Sequence, residues 1–322
     1  MHFLVAPDSF KGTFSAHEAA EAIAAGIEAA GATADRCPVA DGGEGTMEVL
    51  LGALGGERRW AQAHDPLRRP IDAEFGLLAD GNTAVVEAAR ACGLTLIAPE
   101  DRDPVRADTY GAGELIAAAV EAGASKVLVA VGGSATTDGG RGALEALHER
   151  GALEAVARLG VLCDVEAAFE DAARLFAPQK GADADAAGRL SRRLETLAAE
   201  LPRDPRGVPM GGCAGGLSGG LWAHGAELRP GAAFVLGAVG FDARLAAADA
   251  VIAGEGRLDS QSLGGKIVGE IARRCAEAGK PLHLIVGEDS LGGKAPASFS
   301  TLARAESLEE MTQKAGELAR ER

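Results

Sequence analysis

Aromatic side chains are scarce in this chain: Phe, Trp and Tyr together make up 4% of 322 residues. That shortage argues against the stacking platforms that single-stranded nucleic acid needs. It leaves a core built mainly of Ala, Val, Leu and Ile, drawn from the 47% of residues that are apolar. Positive charge is also short, with 32 Lys and Arg against 47 Asp and Glu and a formal net charge of -15. A surface of that sign disfavours nucleic acid and anionic membrane as partners. Any anionic small molecule would then need a local cationic or metal-bearing pocket. The five cysteines, Cys37, Cys92, Cys163, Cys213 and Cys275, are odd in number and scattered. With no CxxC and no Cys/His pair at ligand spacing, they predict neither a disulfide framework nor a zinc site, but reduced thiols in a cytoplasmic protein. No apolar run is long enough to predict a membrane-spanning helix. The chain opens on a strand-like His2–Ala6 with no charged leader before it, so no signal peptide is expected. Also missing are GxxxxGK[ST], a GxGxxG after a strand, HExxH and GxSxG, which argues against P-loop, dinucleotide-binding, zincin and α/β-hydrolase chemistry.

What is present centres on Gly132-Gly133-Ser134-Ala135-Thr136-Thr137-Asp138-Gly139-Gly140. It follows the β-branched run Lys126–Val131 and precedes a helical pattern over Arg141–Glu149. Glycines let backbone N–H groups approach an anion, and a following helix adds partial positive charge. A tight strand-to-helix turn would use the same residue types, so the segment alone leaves both readings open. Similar polar clusters follow other strands. His2–Ala6 leads to Asp8-Ser9-Phe10-Lys11-Gly12-Thr13, then a helix whose start is marked by the capping-box pair Ser15 and Glu18. Ala34–Val39 leads to Asp41-Gly42-Gly43-Glu44-Gly45-Thr46 and a helix over Met47–Leu54. Asp249–Ala253 leads to Gly254-Glu255-Gly256-Arg257-Leu258-Asp259-Ser260-Gln261, then a helix over Lys266–Ala278 and a strand over Pro281–Val286.

Successive strand–helix units predict parallel strands with right-handed crossovers, and ligands at the carboxyl ends of those strands. Between them the rhythm changes. Glu57–Ala63, Ile71–Leu78 and Thr83–Glu87 predict antiparallel strands, with a hairpin signal at Asp80-Gly81. The fold expected is α/β in two domains. One is a discontinuous Rossmann-like parallel-sheet domain of residues 1–55 and 243–322, and the other an inserted mixed α/β domain of residues 56–242. The run Gly211–Gly220 fits close helix packing as well as ligand approach.

Carboxylates at strand ends (Asp8, Asp41, Glu44, Asp138, Asp164, Glu255, Asp259) are usually helix caps when taken singly. Crowded on one rim they repel each other unless a cation lies between them, and Mg²⁺ suits oxygen ligands of that kind. Lys11, Lys180, Arg257 and Lys266 lie in or beside the same loops and can hold phosphate or carboxylate. Glycines, a few cations and several acids together fit phosphoryl transfer, which depends on positioning and charge neutralisation.

Four of these blocks, Ala6–Gly12, Pro38–Thr46, Gly132–Gly140 and Gly254–Gln261, resemble in wording and order the signature blocks of the bacterial glycerate kinases of the first type. The loop Pro178-Gln179-Lys180-Gly181-Ala182 and the glycine run from Gly211 look like the same family. The resemblance runs from Met1 to the helix at Ser307–Glu310. It implies ATP-dependent phosphorylation of glycerate, usually to 2-phosphoglycerate, with ATP and Mg²⁺ as cofactors and no nucleic-acid or membrane partner. A kinase for another small hydroxy acid and a non-catalytic anion-binding relative are the alternatives. The chain departs from the family at Asp164-Val165-Glu166-Ala167-Ala168, where an Asn-Pro pair is usual, and in shorter segments between Leu147 and Leu162 and after Val286.

The expected site follows from both lines. Asp138 is the expected base, with Asp41 as runner-up and Lys11 in the same catalytic set. Asp8, Ser9, Gly42, Gly43, Glu44, Gly132, Gly133, Ser134, Thr136, Lys180, Arg257 and Lys266 are expected to contact substrate or nucleotide. Asp164, Glu255 and Asp259 are expected to hold the metal. Asp8, Lys11, Asp41, Glu255 and Asp259 are expected on one wall of a cleft, with Ser134 and Asp138 on the other.

Overall fold

The computed structural model describes residues 1–10, 12–259, 262, 266–292 and 298–320. In chain order its strands and helices are β1 (His2–Pro7), α1 (Ala16–Ala29), β2 (Thr33–Arg36), α2 (Thr46–Leu54), β3 (Gly56–His64), β4 (Pro70–Leu78), β5 (Thr83–Glu87), α3 (Ala89–Cys92), α4 (Tyr110–Glu121), β6 (Lys126–Ala130), α5 (Arg141–Glu149), β7 (Leu159–Cys163), α6 (Ala172–Phe176), α7 (Ala184–Glu200), α8 (Cys213–Ala223), β8 (Glu227–Pro230), α9 (Gly231–Ala238), α10 (Phe241–Ala247), β9 (Ala250–Leu258), α11 (Ile267–Ala278), β10 (Leu282–Asp289), β11 (Thr301–Arg304) and α12 (Leu308–Arg320). The chain divides into two compact units, Met1–Asp41 with Ala232–Arg322, and Gly42–Gly231.

The first unit carries a sheet in the order β11-β10-β9-β1-β2. Every pairing is parallel, with Val5 opposite Ile252 and Leu284 opposite Ala253. The central strands read as continuous apolar runs because both faces are covered. Phe3, Val5, Ile23, Ile27, Ile252, Ile285 and Met311 form the core on one face. Helix α1 begins where its capping box places it: the Ser15 hydroxyl accepts from Glu18 N–H at 3.2 Å, and the Glu18 carboxylate accepts from Ser15 N–H at 2.8 Å. Helices α1 and α12 touch backbone to backbone at Gly26, where a Cβ would lie 2.0 Å from the Thr312 carbonyl oxygen.

The inserted unit carries a mixed sheet in the order β3-β4-β5-β6-β7-β8. Its first two pairings are antiparallel and the rest parallel. Phe75, Val86, Leu115, Ile116, Val129, Leu147 and Val161 fill its main core, and Phe169, Leu190, Leu194 and Leu197 form a second one.

The structure differs from the sequence reading at several points. The units part at Asp41/Gly42 and Gly231/Ala232, not at residues 55 and 243. Helix α2 goes with the inserted unit because Met47 donates its N–H to Glu87 Oε1 at 2.8 Å and its side chain lies on β4 at Gly76. Strand β9 does not end at Ala253 but runs on to Leu258, since β10 extends beside it and pairs Val286 with Glu255 and Asp289 with Leu258. Residues Glu255–Leu258 are therefore strand, with alternate side chains turned to opposite faces. Finally, the short strands β8 and β11 edge their sheets. Each is four residues long, too short for a periodic signal.

Candidate active site

The carboxyl ends of β1, β9 and β10 and the segment after β2 enclose a cavity of about 530 Å³ within the first unit. Asp8, Ser9, Asp41, Glu255, Arg257, Asp259 and Lys266 line it, and Phe10, Phe14 and Ile267 supply its apolar wall. Asp8 is fixed by its own N–H, which donates to the Gly254 carbonyl at 2.8 Å, and its Oδ1 accepts from Ser9 N–H at 2.6 Å. Phe10 and Phe14 pack edge to face at 6.5 Å. Lys266 sits at the N-cap of α11, so that helix begins at the cavity. Asp8, Asp41 and Glu255 are all buried. Burial pushes the Glu255 carboxyl up to about 7, and the nearby charges of Asp259 and Asp41 add to the rise, while Ser262 and Lys266 oppose it. Its Oε1 is buried with no hydrogen-bond partner among the described residues. An acid in that condition either stays protonated or awaits a cation.

The Gly132–Gly140 motif belongs to the inserted unit and is used differently. Asp138 was the expected base, but its carboxylate is spent on structure. Oδ2 accepts from Thr109 N–H at 3.0 Å, Thr109 Oγ1–H at 2.8 Å and Gly142 N–H at 3.0 Å, and Oδ1 accepts from Gly140 N–H at 3.2 Å. It caps α5 and ties that helix to the start of α4, the role a lone acid after a strand ordinarily has. Lys180 is buried; its Nζ donates to the Thr136 carbonyl at 2.5 Å and to Ser134 Oγ at 3.2 Å. Burial lowers its ammonium to about 8 against the neighbouring acidic groups, which raise it. The glycines of the 211–220 run serve packing. A Cβ on Gly215 would lie 2.0 Å from the Thr136 carbonyl oxygen, and one on Gly220 would lie 2.2 Å from that of Gly139. Ala214, Gly215 and Gly216 take left-handed dihedrals to let α8 kink against the motif.

The structure thus brings Asp8, Ser9, Asp41, Glu255, Arg257, Asp259 and Lys266 to one cavity. It brings another group together in the inserted unit: a Cβ on Gly132 would lie 2.7 Å from Gly43 Cα and 3.3 Å from Asp164 Oδ2. Gly42, Gly43, Glu44, Gly133, Ser134, Thr136 and Lys180 belong to that unit too. Lys11, with Ser260 and Gln261, lies outside the described residues. The expected metal residues come from both units: Asp164 follows β7 in the inserted unit, while Glu255 and Asp259 belong to the first. Among the described residues no group of three or more His, Cys, Asp or Glu is disposed to hold a metal by itself. Glu288 and Glu306 also line the cavity. Glu288 went unpredicted because β10 was expected to stop at Val286, and the polar Gly287-Glu288-Asp289 that follows is the signal that marks it. Glu306 follows β11, a four-residue strand with no periodic signal. Glu87 was missed as well: it is the last residue of β5, flanked by Val86 and Ala88, and it fixes α2 after the Gly42–Gly45 turn.

A parallel sheet whose strand ends close on an acidic cavity edged by cations defines a small-molecule-binding α/β enzyme architecture. The comparisons narrow the class. The model of the glycerate kinase family matches residues 3–154 and 148–322. Glycerate kinase of Bacillus subtilis strain 168 is 38% identical over 363 positions, covering 98% of this chain and 94% of that one. Glycerate 2-kinase of Escherichia coli K12 is 36% identical, covering 89% of this chain and 85% of its own. The crystal structure of a provisional glycerate kinase 2 from Salmonella typhimurium LT2 superimposes with a TM-score of 0.82 at 32% identity, covering 99% of this chain and 97% of that one. The chain belongs to the glycerate kinase family. The match to the Bacillus subtilis relative spans more positions than the 322 residues here, so segments of that relative have no counterpart in this chain.

Proposed function

We propose that the protein is an ATP-dependent kinase that phosphorylates glycerate, with 2-phosphoglycerate as product. The reading rests on family membership over nearly the whole chain. The observation that carries it to residues is the shared cavity: Asp8, Asp41, Glu255 and Asp259, from three separate stretches of the chain, line it together with Lys266 and Arg257. Phosphoryl transfer needs the acceptor hydroxyl relieved of its proton and the phosphate charge neutralised. Asp41 replaces Asp138 as the proposed proton acceptor, because it lines the cavity while Asp138 caps a helix. Lys266 and Arg257 are placed to meet phosphate or carboxylate oxygens. The Ser134 loop, Gly42 and Gly43 remain candidate contacts for the second ligand, with Lys180 holding Ser134 in place.

Hard oxygen donors and the unpartnered, buried Oε1 of Glu255 suit Mg²⁺, which is usually bound by one or two carboxylates plus substrate phosphates. Glu255 and Asp259 are the residues that would hold it, and bound there it would neutralise charge on the phosphates. The free, buried cysteines suit a reducing compartment, and we place the protein in the cytoplasm on that ground.

The test is incubation of the purified protein with ATP, Mg²⁺ and glycerate, with ADP and the phosphorylated acid both identified. ADP with 2-phosphoglycerate supports the reading. ADP formed only with another hydroxy acid shifts the substrate. Thermal stabilisation by ligands without ADP would overturn the enzyme reading in favour of a binding protein.

A further inference from the structure

The inserted unit holds a second cavity of about 230 Å³, lined by Arg68, Arg106, Arg141 and Arg193 with Asp108, Glu145 and the capping Asp138. A pocket walled by four guanidinium groups is unexpected in a chain of net charge -15. Its acids do not neutralise it evenly. Asp108 and Glu145 both go to Arg68, at 2.6 and 3.2 Å, and Asp138 is held by the amides and hydroxyl described above. Among the described residues Arg193 donates only to the Val105 carbonyl, at 2.9 Å. The Arg106 and Arg141 side chains have no hydrogen-bond or ion-pair partner among the described residues. Arg68 carries a φ of 63°, a left-handed dihedral that a side chain other than Gly adopts at a cost. Its guanidinium lies 3.8 Å over the Tyr110 ring, so a strained backbone is held with its head group fixed at the pocket wall. Strain kept at a concave charged site is a common mark of function.

We propose that this pocket is a separate binding site for a small, multiply charged organic anion, one bearing two or more carboxylate or phosphate groups. Arg106 and Arg141 are the direct ligands, Arg193 turns its free donors inward, and Arg68 with its two carboxylates forms the fixed wall. Guanidinium forks match the paired oxygens of either group, which is why the class is defined by charge and geometry and not by one head group. The site goes beyond the kinase reading and does not depend on it. Because Arg141 and Gly142 directly follow the Gly132–Gly140 motif, occupancy would bear on the end of that motif.

Isothermal titration without Mg²⁺ or nucleotide, using inorganic pyrophosphate in one arm and citrate in the other, tests it. Saturable binding of either probe at one site per chain is expected, and whichever binds tighter identifies the phosphate or carboxylate source. The double variant Arg106→Ala, Arg141→Ala should weaken that binding at least about tenfold, since a hydrogen bond to a charged group contributes about 1.5–3 kcal/mol. Glycerate kinase activity measured without added anion should be unchanged in it. Lys266→Ala should leave the same affinity in place. No saturable binding, equal affinity in the double variant, or loss of binding in Lys266→Ala instead would each overturn the proposal.

Discussion

Two strand-end clusters in this chain use the same vocabulary of glycine, hydroxyl and carboxylate, yet they do opposite things with it. In the first unit the polar groups at the ends of β1 and β9 face a cavity of about 530 Å³, and one buried oxygen of Glu255 has no partner among the described residues. In the inserted unit Asp138, after β6, is satisfied by backbone amides and Thr109, and Ser134 and Thr136 accept from Lys180, while Thr137 Oγ1 is buried without a partner among the described residues. The lesson is that a polar motif marks a place where the backbone is exposed at a strand end. Whether a ligand or the protein itself completes it depends on what packs behind. Here α4, α8 and the 178–180 turn supply partners within the inserted unit, whereas Glu255 Oε1 in the first unit has none among the described residues.

The largest expected effect breaks the comparison at its chemical end. Asp41→Asn should lower kcat by about 10²–10⁴-fold at saturating substrates, the range for loss of a general base. Asp138→Asn should instead change kcat by less than about tenfold while lowering the unfolding midpoint, because both carboxylate oxygens only accept hydrogen bonds and the amide nitrogen that replaces one of them cannot. Steady-state kinetics and thermal melts on both variants decide it. The reverse pattern would return Asp138 to the role of base.

Next in size is the packing behind the inserted motif. Gly215 has a φ of 65°, and a Cβ there would lie 2.0 Å from the Thr136 carbonyl oxygen. Gly215→Ala combines left-handed strain of about 1–2 kcal/mol with overpacking of about 1–3 kcal/mol. It should lower the denaturation midpoint sharply. Gly237→Ala, where a Cβ meets nothing within 4 Å, should be nearly neutral. Equal midpoints for the two variants would mean that the glycine run is not there for packing.

Much of this architecture was legible in the sequence, because local signals and tertiary structure agree. The α1 capping box and the Asp80-Gly81 turn each satisfy local donors whatever the rest of the chain does. The central parallel strands were legible as unbroken apolar runs. What stayed hidden was decided at long range. The extension of β9 depends on how far β10 runs beside it past Val286, and the placement of α2 depends on Glu87, forty residues away. Candidate acids could be named from the strand ends. The sequence could not say which of them would be consumed, since Thr109, the donor that occupies Asp138, sits |i−j| = 29 away.

A smaller effect comes from Lys180, whose ammonium burial lowers to about 8. A lowered cation is penalised wherever it is charged in both states. Its contribution to stability is therefore least favourable below about 8 and improves as the pH rises from there towards the ordinary lysine value of 10.5. Lys180→Met removes that pH dependence along with the bonds to Ser134 and Thr136. The difference in unfolding free energy between wild type and variant should widen in favour of wild type as the pH rises through this window. A difference that stays flat would place the ammonium in contact with water.

The smallest effect sharpens the other side of the comparison, at Glu255. Its carboxyl is raised from 4.5 to about 7, first by burial. The folded protein therefore binds this proton more tightly than the unfolded chain does. Below about pH 4.5 the group is neutral in both states and costs nothing; between 4.5 and 7 stability falls as the pH rises, and above 7 the penalty is complete. A cation bound at the carboxylate would relieve that penalty only where the group is charged in the folded state. Mg²⁺ with a nucleotide should thus raise the unfolding midpoint by more at pH 8 than at pH 5.5. Glu255→Gln, which keeps the shape and removes the charge, should be more stable than wild type above pH 7 without ligand and should show less gain from Mg²⁺. This readout needs no turnover. Should the variant keep the full pH-dependent gain, Glu255 is not where the cation is held, and Asp8 and Asp41 become the acids to examine.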